Sequence, residues 1–333
     1  MFFSKIIGVG HYVPENVVTN FDLEKLMDTT DKWIQERTGI KERRFHPTEE
    51  HSTAKMGAKA AIMAMERAGV KKEDVDAIVF ATLSSDYFFP GSGVLVQKIL
   101  DMGTIPAIDI RAQCSGFIYS LSVADQFIRS GMYKRILVIG AETQSVALDI
   151  TTRGRGTAAL FGDGGGAVLL EAHSDEGKGI LSTHLHSDGN FADALRVKAP
   201  GTGRDKTFYL GIEDDHENIH PYMEGQLVFK HAVRRMPEAV IEALEHNKLT
   251  IDDVDMLLPH QANLRISQMV QRLLKLPDDR VYNNIQKYGN TTAATIPILM
   301  SELWEQDRIK EGQLFALTAF GSGFTWASAL IRW

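Results

Sequence analysis

Among 333 residues there is one cysteine, Cys114, which excludes an intramolecular disulfide and any zinc site built on cysteine pairs. Basic residues do not predominate: 36 Lys and Arg against 43 Asp and Glu leave a net charge of −7, so the chain as a whole is no polyanion binder and nucleic acid is not an expected partner. A local basic patch stays open. No apolar run approaches the roughly 20 residues of a membrane span. The opening stretch Met1 to Gly8 is too soon broken, at Gly8 and Gly10, to be a signal-peptide core. A soluble cytoplasmic protein is expected. What is present is ordinary globular usage, 44% hydrophobic and 24% charged with 28 Gly and 10 Pro. That length supplies roughly two domains or one large one, each with a sizeable core.

The chain repeats itself. Glu73-Asp74-Val75-Asp76-Ala77-Ile78-Val79-Phe80 resembles Asp252-Asp253-Val254-Asp255-Met256-Leu257-Leu258-Pro259 far along the chain, and an amphipathic helix precedes each copy. One runs through Met56, Ala60 and Met63 to a C-cap at Gly69, the other through Met236, Val240 and Ala243 to Asn247. The apolar runs Ile136 to Ala141 and Phe315 to Phe320 stand equally far beyond the two copies and read as strands buried on both faces. Alternating strand and helix predicts α/β layers with parallel strands. Two pseudo-symmetric halves follow, 1–175 and 176–333. The polar stretch from Asn190 to Glu224, with Pro200, Gly201, Gly203 and Pro221, reads as a cap over an active site.

Cys114 follows the strand-like Ile105 to Ile110 and precedes a helix marked by apolar residues at 117, 121, 124 and 128. A thiol at a helix N-terminus is expected to have a lowered pKa and to act as a nucleophile; a buried structural cysteine is the bland alternative. His260, in Pro259-His260-Gln261-Ala262-Asn263, and Asn290, in Gly289-Asn290-Thr291, lie at strand or loop ends that enter helices. The separation of Asn290 from Cys114 is close to that between the two copies, so the repeat is expected to bring these two elbows together; a satisfied His and a capping Asn are the alternatives. Phe161-Gly162-Asp163-Gly164-Gly165-Gly166 lacks the Lys of a P-loop, and Gly8-Val9-Gly10 lacks the third glycine of a dinucleotide fingerprint. His184 and His186 alternate along a strand without nearby Cys, so no metal site is expected.

Taken together, Trp33 to Ile40 (Trp-Ile-Gln-Glu-Arg-Thr-Gly-Ile), Cys114-Ser115-Gly116-Phe117, Arg155-Gly156-Thr157, Phe161 to Gly164, His260 to Arg265, Gly289-Asn290-Thr291 and Gly321-Ser322-Gly323-Phe324-Thr325-Trp326 resemble the β-ketoacyl-acyl-carrier-protein synthase III family of the thiolase superfamily, over nearly the whole chain. The resemblance implies a five-layered αβαβα thiolase fold and an acyltransferase that starts fatty-acid chains. It implies a catalytic triad of Cys114, His260 and Asn290. Cys114 would take an acyl group from acyl-coenzyme A, with the oxyanion held by its own N–H and by the Gly321, Ser322, Gly323 loop. His260 and Asn290 would both donate to the thioester oxygen while malonyl-acyl carrier protein loses carbon dioxide.

By the same resemblance, coenzyme A lies along Trp33, Arg37, Arg155, Gly225, Phe229, Ala262 and Asn263. Phe89 lines an acyl pocket across a homodimer interface, and Lys230, Arg234, Arg265 and Arg272 form a docking patch for the acidic carrier protein. Acyl-coenzyme A is substrate; no cofactor and no metal are implied. Departures are Ser322 where a third glycine is usual, which strains the loop if that position needs a positive φ, the large polar Arg111 and Gln113 beside the nucleophile, Arg153 beside Arg155, and a long capping segment. They leave the starter acyl group open. A relative serving secondary metabolism with an unusual starter and a thioester hydrolase are the competing readings, and a non-catalytic binding module is a third.

Overall fold

The computed structural model describes residues 2–46, 48–198, 201 and 219–333. In chain order the strands are β1 (Phe3–Tyr12), β2 (Val17–Thr19), β3 (Glu42–Arg44), β4 (Ala77–Ala81), β5 (Ala107–Ile110), β6 (Arg135–Glu142), β7 (Gly164–His173), β8 (Gly179–Ser187), β9 (Leu195–Arg196), β10 (Tyr222–Met223), β11 (Met256–Pro259), β12 (Leu314–Gly321) and β13 (Thr325–Arg332). The helices are α1 (Asn20–Glu24), α2 (Asp31–Thr38), α3 (Thr53–Ala68), α4 (Ser92–Leu100), α5 (Gly116–Arg129), α6 (Arg155–Ala158), α7 (Gly225–His246), α8 (Leu264–Leu274), α9 (Ile285–Tyr288) and α10 (Thr295–Glu305).

Two sheets carry the architecture, in the orders β1-β7-β6-β4-β5 and β11-β12-β13-β8. Val281 bridges to Leu257 at the outer edge of β11, so it stands where β5 stands beside β4. The two orders then match strand for strand, β4 with β11 and β6 with β12, and both pairs keep the same separation along the chain. The all-parallel expectation is corrected. β4 runs parallel to β5 and β6, and β11 to β12, but β7, β1, β13 and β8 add antiparallel. Long hairpin-like returns, β6 into β7 and β12 into β13, extend each sheet without a crossover helix.

Burial on both faces explains the unalternating strands. α3 and α4 cover one face of the first sheet through Ala60, Ala61, Ala64 and Val96. α5 and α10 fill the space between the sheets, where Phe117, Leu121, Ile296 and Leu299 join Val138 and Leu317 in one core. α7 and α8 cover the outer face of the second sheet with Val240, Leu244 and Val270. The result is five layers, αβαβα. Gly8 and Gly10 belong to this packing: a Cβ at either would stand 2.1 Å from Ala64 O or 2.2 Å from Ala60 O, so β1 lies directly on α3. Gly69 caps α3 in the left-handed region at φ 63°, whereas Asn247 caps α7 at φ −89° and the left-handed turn falls on Lys248.

Candidate active site

Cys114 lies in a single tight turn, Gln113–Ser115, between β5 and α5. The repeat mate of this turn is Thr292–Ala294, which opens α10, and both turns begin with a left-handed residue, Gln113 at φ 45° and Thr292 at φ 52°. The mate of Cys114 is therefore Ala293, and Asn290 lies just ahead of the second turn. The thiol is 8% exposed. Burial, with the Glu142 carboxylate adding to it, pushes it up to about 12, so the lowering expected from the helix N-terminus is not what this site gives. Desolvation outweighs the dipole because the sulfur sits beneath Gly321, where an added Cβ would lie 3.0 Å from Cys114 N and Cβ. Glu142, fully enclosed at the end of β6, is raised to about 7 by burial and accepts from Thr82 Oγ1, Ser84 Oγ and the N–H groups of Leu83 and Ser84.

His260 follows β11, its N–H donating to Thr318 O at 2.8 Å. Its ring is 1% exposed, and burial lowers it to about 3, so it is neutral. Which nitrogen carries the proton follows from Thr295. That hydroxyl lies 3.0 Å from Thr292 O, which can only accept, and 2.7 Å from His260 Nδ1. One hydroxyl proton directed to Thr292 O leaves Nδ1–H to donate to Thr295 Oγ1. His260 Nε2, buried without a partner among the described residues, is then a bare acceptor. Asn290 is pinned on both sides by the strand-like bridge to Phe161: its N–H donates to Leu160 O at 2.8 Å and its O accepts from Gly162 N at 3.1 Å. Its Oδ1 accepts from Thr292 N at 2.8 Å, which leaves Nδ2 as the group it can present.

The glycine-rich run after Phe161 holds this frame rather than a phosphate. A Cβ at Gly162 would stand 2.3 Å from Tyr288 O, and Asp163 accepts from the N–H groups of His46, Gln144 and Ser145. Sequence reasoning missed Asp163, Glu142 and Thr295; only the buried polar accounting of the fold exposes them. In the 321–323 loop the positive φ, 127°, belongs to Gly323, and Ser322 is not in the left-handed region. The Ser322 hydroxyl instead donates to Leu195 O and ties the loop to β9.

Two hollows meet at Cys114. One, of about 140 Å³, is lined by Cys114, His260 and Asn290 together with Gly225, Phe229, Ala262 and Asn263. Asn263 caps α8 and its Nδ2 donates to Arg37 O, which joins α2 to the lining of this hollow. On α2 the Trp33 ring is approached by the guanidinium groups of Arg37 at 4.4 Å and Arg155 at 5.2 Å, while Arg155 also pairs with Asp28 and Arg153 with Asp149. The second hollow, about 270 Å³, lies on the other side and is lined by Cys114, Ser322, Gln113 and Arg111. The described ends of the 190–224 segment wall both hollows through Leu195, while 199–200 and 202–218 lie outside the described residues.

Lys230, Arg234, Arg265 and Arg272 are all exposed, the first two on α7 and the others on the adjoining α8; Arg234 is paired with Glu238 at 2.8 Å. Phe89 reaches neither hollow of its own chain. It is 81% exposed beside Phe88 and Tyr87. His184 and His186 both contact the Glu242 carboxylate, and among the described residues no cluster has metal-ligand geometry.

Comparison with known proteins decides the family. Residues 108–189 match the model of 3-oxoacyl-[acyl-carrier-protein (ACP)] synthase III, and residues 244–333 match that of its C-terminal part. The β-ketoacyl-[acyl-carrier-protein] synthase III of Alkalilimnicola ehrlichii is 47% identical over 338 residues, covering 100% of both chains. The chain belongs to this family. The synthase III of Caldanaerobacter subterraneus subsp. tengcongensis is 45% identical, covering 98% of this chain and 97% of that one. The crystal structure of 3-oxoacyl-[acyl-carrier-protein] synthase III from Aquifex aeolicus superposes with a TM-score of 0.90 at 42% identity, covering 99% and 100%. A priming β-ketosynthase from the R1128 polyketide pathway gives 0.89 at 29%, covering 99% and 96%. This synthase III is thus a condensing acyltransferase of fatty-acid biosynthesis with the thiolase fold. No helix among its described residues is long and apolar enough to cross a membrane.

Proposed function

We propose that this synthase condenses an acyl group, taken from acyl-coenzyme A onto Cys114, with malonyl-acyl carrier protein, in the cytoplasm and without a cofactor. The observation that carries the reading is the meeting of Cys114, His260 and Asn290 at one cavity, which Asn263 also lines and joins through Arg37 O to the helix of Trp33 and Arg37. In this reading coenzyme A enters along Gly225, Phe229, Ala262 and Asn263 with its adenine on Trp33. The thiol, pushed up by burial, needs a base, and the bare Nε2 of His260 takes its proton as sulfur attacks the thioester. The oxyanion forms against the N–H of Cys114 and that of the Gly321 to Gly323 loop, and the departing coenzyme A thiolate takes the proton back from His260.

The second half-reaction uses the same groups differently. Asn290 Nδ2 donates to the malonyl thioester oxygen as carbon dioxide leaves and enolate charge develops. His260 can donate beside it in the Nε2–H tautomer, formed when Nδ1 gives its proton to solvent and Nε2 takes one from solvent, with the Thr295 hydroxyl turned from Thr292 O to donate to Nδ1. The enolate carbon then attacks the acyl-Cys114 thioester and releases the sulfur. Arg265 and Arg272, with Lys230 and Arg234 on the neighbouring helix, offer a cationic face to the acidic carrier protein. A homodimer fits the free edge of β5 and the exposed Phe88 and Phe89, and would let Phe89 reach the acyl pocket of a second copy. The two halves part between His173 and Gly179, where the chain leaves one sheet for the other. Intact-protein mass after mixing with acyl-coenzyme A tests the reading: an acyl adduct on the wild type and none on Cys114→Ala supports it, and an adduct on the variant overturns it.

A further inference from the structure

Coenzyme A and the acyl group it carries must approach Cys114 from different sides, because the thioester carbon sits at the sulfur with one arm on each side. The hollow lined by His260, Asn290 and Gly225 is also lined by Asn263, whose side chain bonds Arg37 O on α2; with coenzyme A on Trp33 of that helix, the acyl chain belongs in the other. That second hollow has an unusual lining for a hydrocarbon. Leu83, Phe161 and Leu195 supply an apolar stretch, but Arg111, Gln113 and Gln144 also face it. Among the described residues every charged side chain lining it is an arginine, Arg111 or Arg196, and no carboxylate lines it.

The state of these groups narrows the ligand. Arg196 is already occupied: its Nε lies 3.6 Å from Asp193 and its guanidinium stacks on Tyr222 at 4.8 Å. Arg111 makes no hydrogen bond or ion pair among the described residues. The carboxylate that feels its charge, Asp109, is committed to the N–H groups of Ser92 and Gly93 at the start of α4. The side-chain amide of Gln113 is likewise unused among the described residues, and Gln144 spends its Nε2 only on Thr292 Oγ1 at 2.8 Å. An unpaired guanidinium beside free amide donors, reached across a short apolar stretch from the nucleophile, is a receptor for an anion on a short stem. Arg111 is exposed to solvent as well as to the hollow, whereas the half-buried Gln113 would be left without a partner by a plain alkyl chain packed against it.

We infer that Arg111, with Gln113, selects acyl groups whose far end carries a carboxylate, so that the preferred starter is a short dicarboxylic acid held as its mono-coenzyme A thioester. This rests on Cys114 being the acylated nucleophile. Neither Arg111 nor Gln113 takes part in the bond changes: the thioester bond to coenzyme A breaks, that to Cys114 forms, and the distant carboxylate stays ionised against the guanidinium.

The test is the rate of adduct formation on Cys114, by intact-protein mass, from succinyl- and glutaryl-coenzyme A against their uncharged isosteres isocaproyl- and isoheptanoyl-coenzyme A. The wild type is expected to load a carboxylated group at least about tenfold faster than its isostere, as befits one charge-assisted hydrogen bond. Arg111→Gln should lower that ratio about tenfold or more, and Arg111→Lys should hold an intermediate value. Equal or faster loading from the isosteres by the wild type overturns the inference, as does a ratio that Arg111→Gln leaves unchanged. An adduct from alkyl thioesters alone refutes this selectivity and spares the role of Cys114. No adduct from any of the four, nor from acetyl-coenzyme A, refutes that role itself.

Discussion

Replacing Ser322 by glycine separates two physical accounts of the 321–323 loop. If Ser322 were forced into the left-handed region, glycine would relieve strain and stabilise the protein. The structure puts the positive φ on Gly323 and gives Ser322 an ordinary backbone, so no strain is there to relieve. Two losses remain: the hydrogen bond to Leu195 O, about 1 kcal/mol, and the added freedom of a glycine in the unfolded chain, about 0.5 to 1 kcal/mol. Ser322→Gly should therefore destabilise by about 1.5 to 2 kcal/mol. For 333 residues the unfolding entropy is about 0.7 kcal/mol per degree, so Tm should fall by about 2 to 3 °C, and Ser322→Ala, which loses the hydrogen bond alone, by about half of that. Scanning calorimetry of the three proteins at one pH measures both steps. A Tm for Ser322→Gly equal to or above that of the wild type refutes the reasoning. So does an alanine variant less stable than the glycine one.

Thr295→Val removes the acceptor that fixes His260 in the Nδ1–H form and should slow acyl loading about 10- to 100-fold, with Thr295→Ser close to wild type; a valine variant that loads normally sinks the tautomer assignment. His260→Ala should depress loading as well as condensation, whereas Asn290→Ala should spare loading and lower malonyl decarboxylation by about 10² to 10³, the effect of one oxyanion donor; loss of loading in the Asn290 variant contradicts the division. The buried neutral His260, at about 3 against 6.5 when unfolded, binds its proton only in the unfolded chain between those values, so its contribution is complete above 6.5 and is lost as pH falls. Denaturant titrations should show the wild type losing ground to His260→Gln below pH 6.5, by up to about 1.4 kcal/mol per pH unit, and a constant difference would refute a buried neutral ring. Arg265→Glu should raise the Michaelis constant for malonyl-acyl carrier protein and reduce its salt dependence while leaving loading from acyl-coenzyme A intact; an unchanged constant removes the cationic face from the account.

The layers and the turn that carries Cys114 ahead of a helix are legible in the sequence because they rest on local pattern. The largely apolar, unalternating Ile136 to Ala141 and Phe315 to Phe320 read as strands buried on both faces, and the constant spacing between matching segments points to the duplication without any structure. Strand direction is not legible. The returns from β6 into β7 and from β12 into β13 are antiparallel, yet a strand buried on both faces has the same composition in either direction. The thiol misleads for a related reason: a helix N-terminus is visible in sequence, whereas the depth beneath Gly321 and the neighbouring Glu142 are products of the fold. Asp163 is visible only as part of a glycine-rich run, and its three backbone donors come from two distant segments.

The duplication itself explains why the site needs both halves. Each half makes the same tight turn ahead of its central helix, at Gln113–Ser115 and Thr292–Ala294, and each turn starts with a left-handed residue that is not glycine. Such a conformation costs on the order of 1 kcal/mol or more, most for a β-branched threonine, and persists only where its surroundings hold it. The holding is reciprocal. Gly321, at the end of β12, lies on Cys114, while Gly140, in β6 of the other half, lies so close to Ala293 that a Cβ would meet its carbonyl oxygen at 2.4 Å. One turn carries the sulfur; the other carries no nucleophile, because alanine occupies the matching position, and instead supplies Thr292 O and Thr292 N to orient Thr295 and Asn290. In the proposed mechanism a single half would present the thiol without its base and amide, or those groups without a thiol. The two become one site because each turn is braced by the opposite sheet, so the contacts that hold the halves together are the ones that aim the reacting groups.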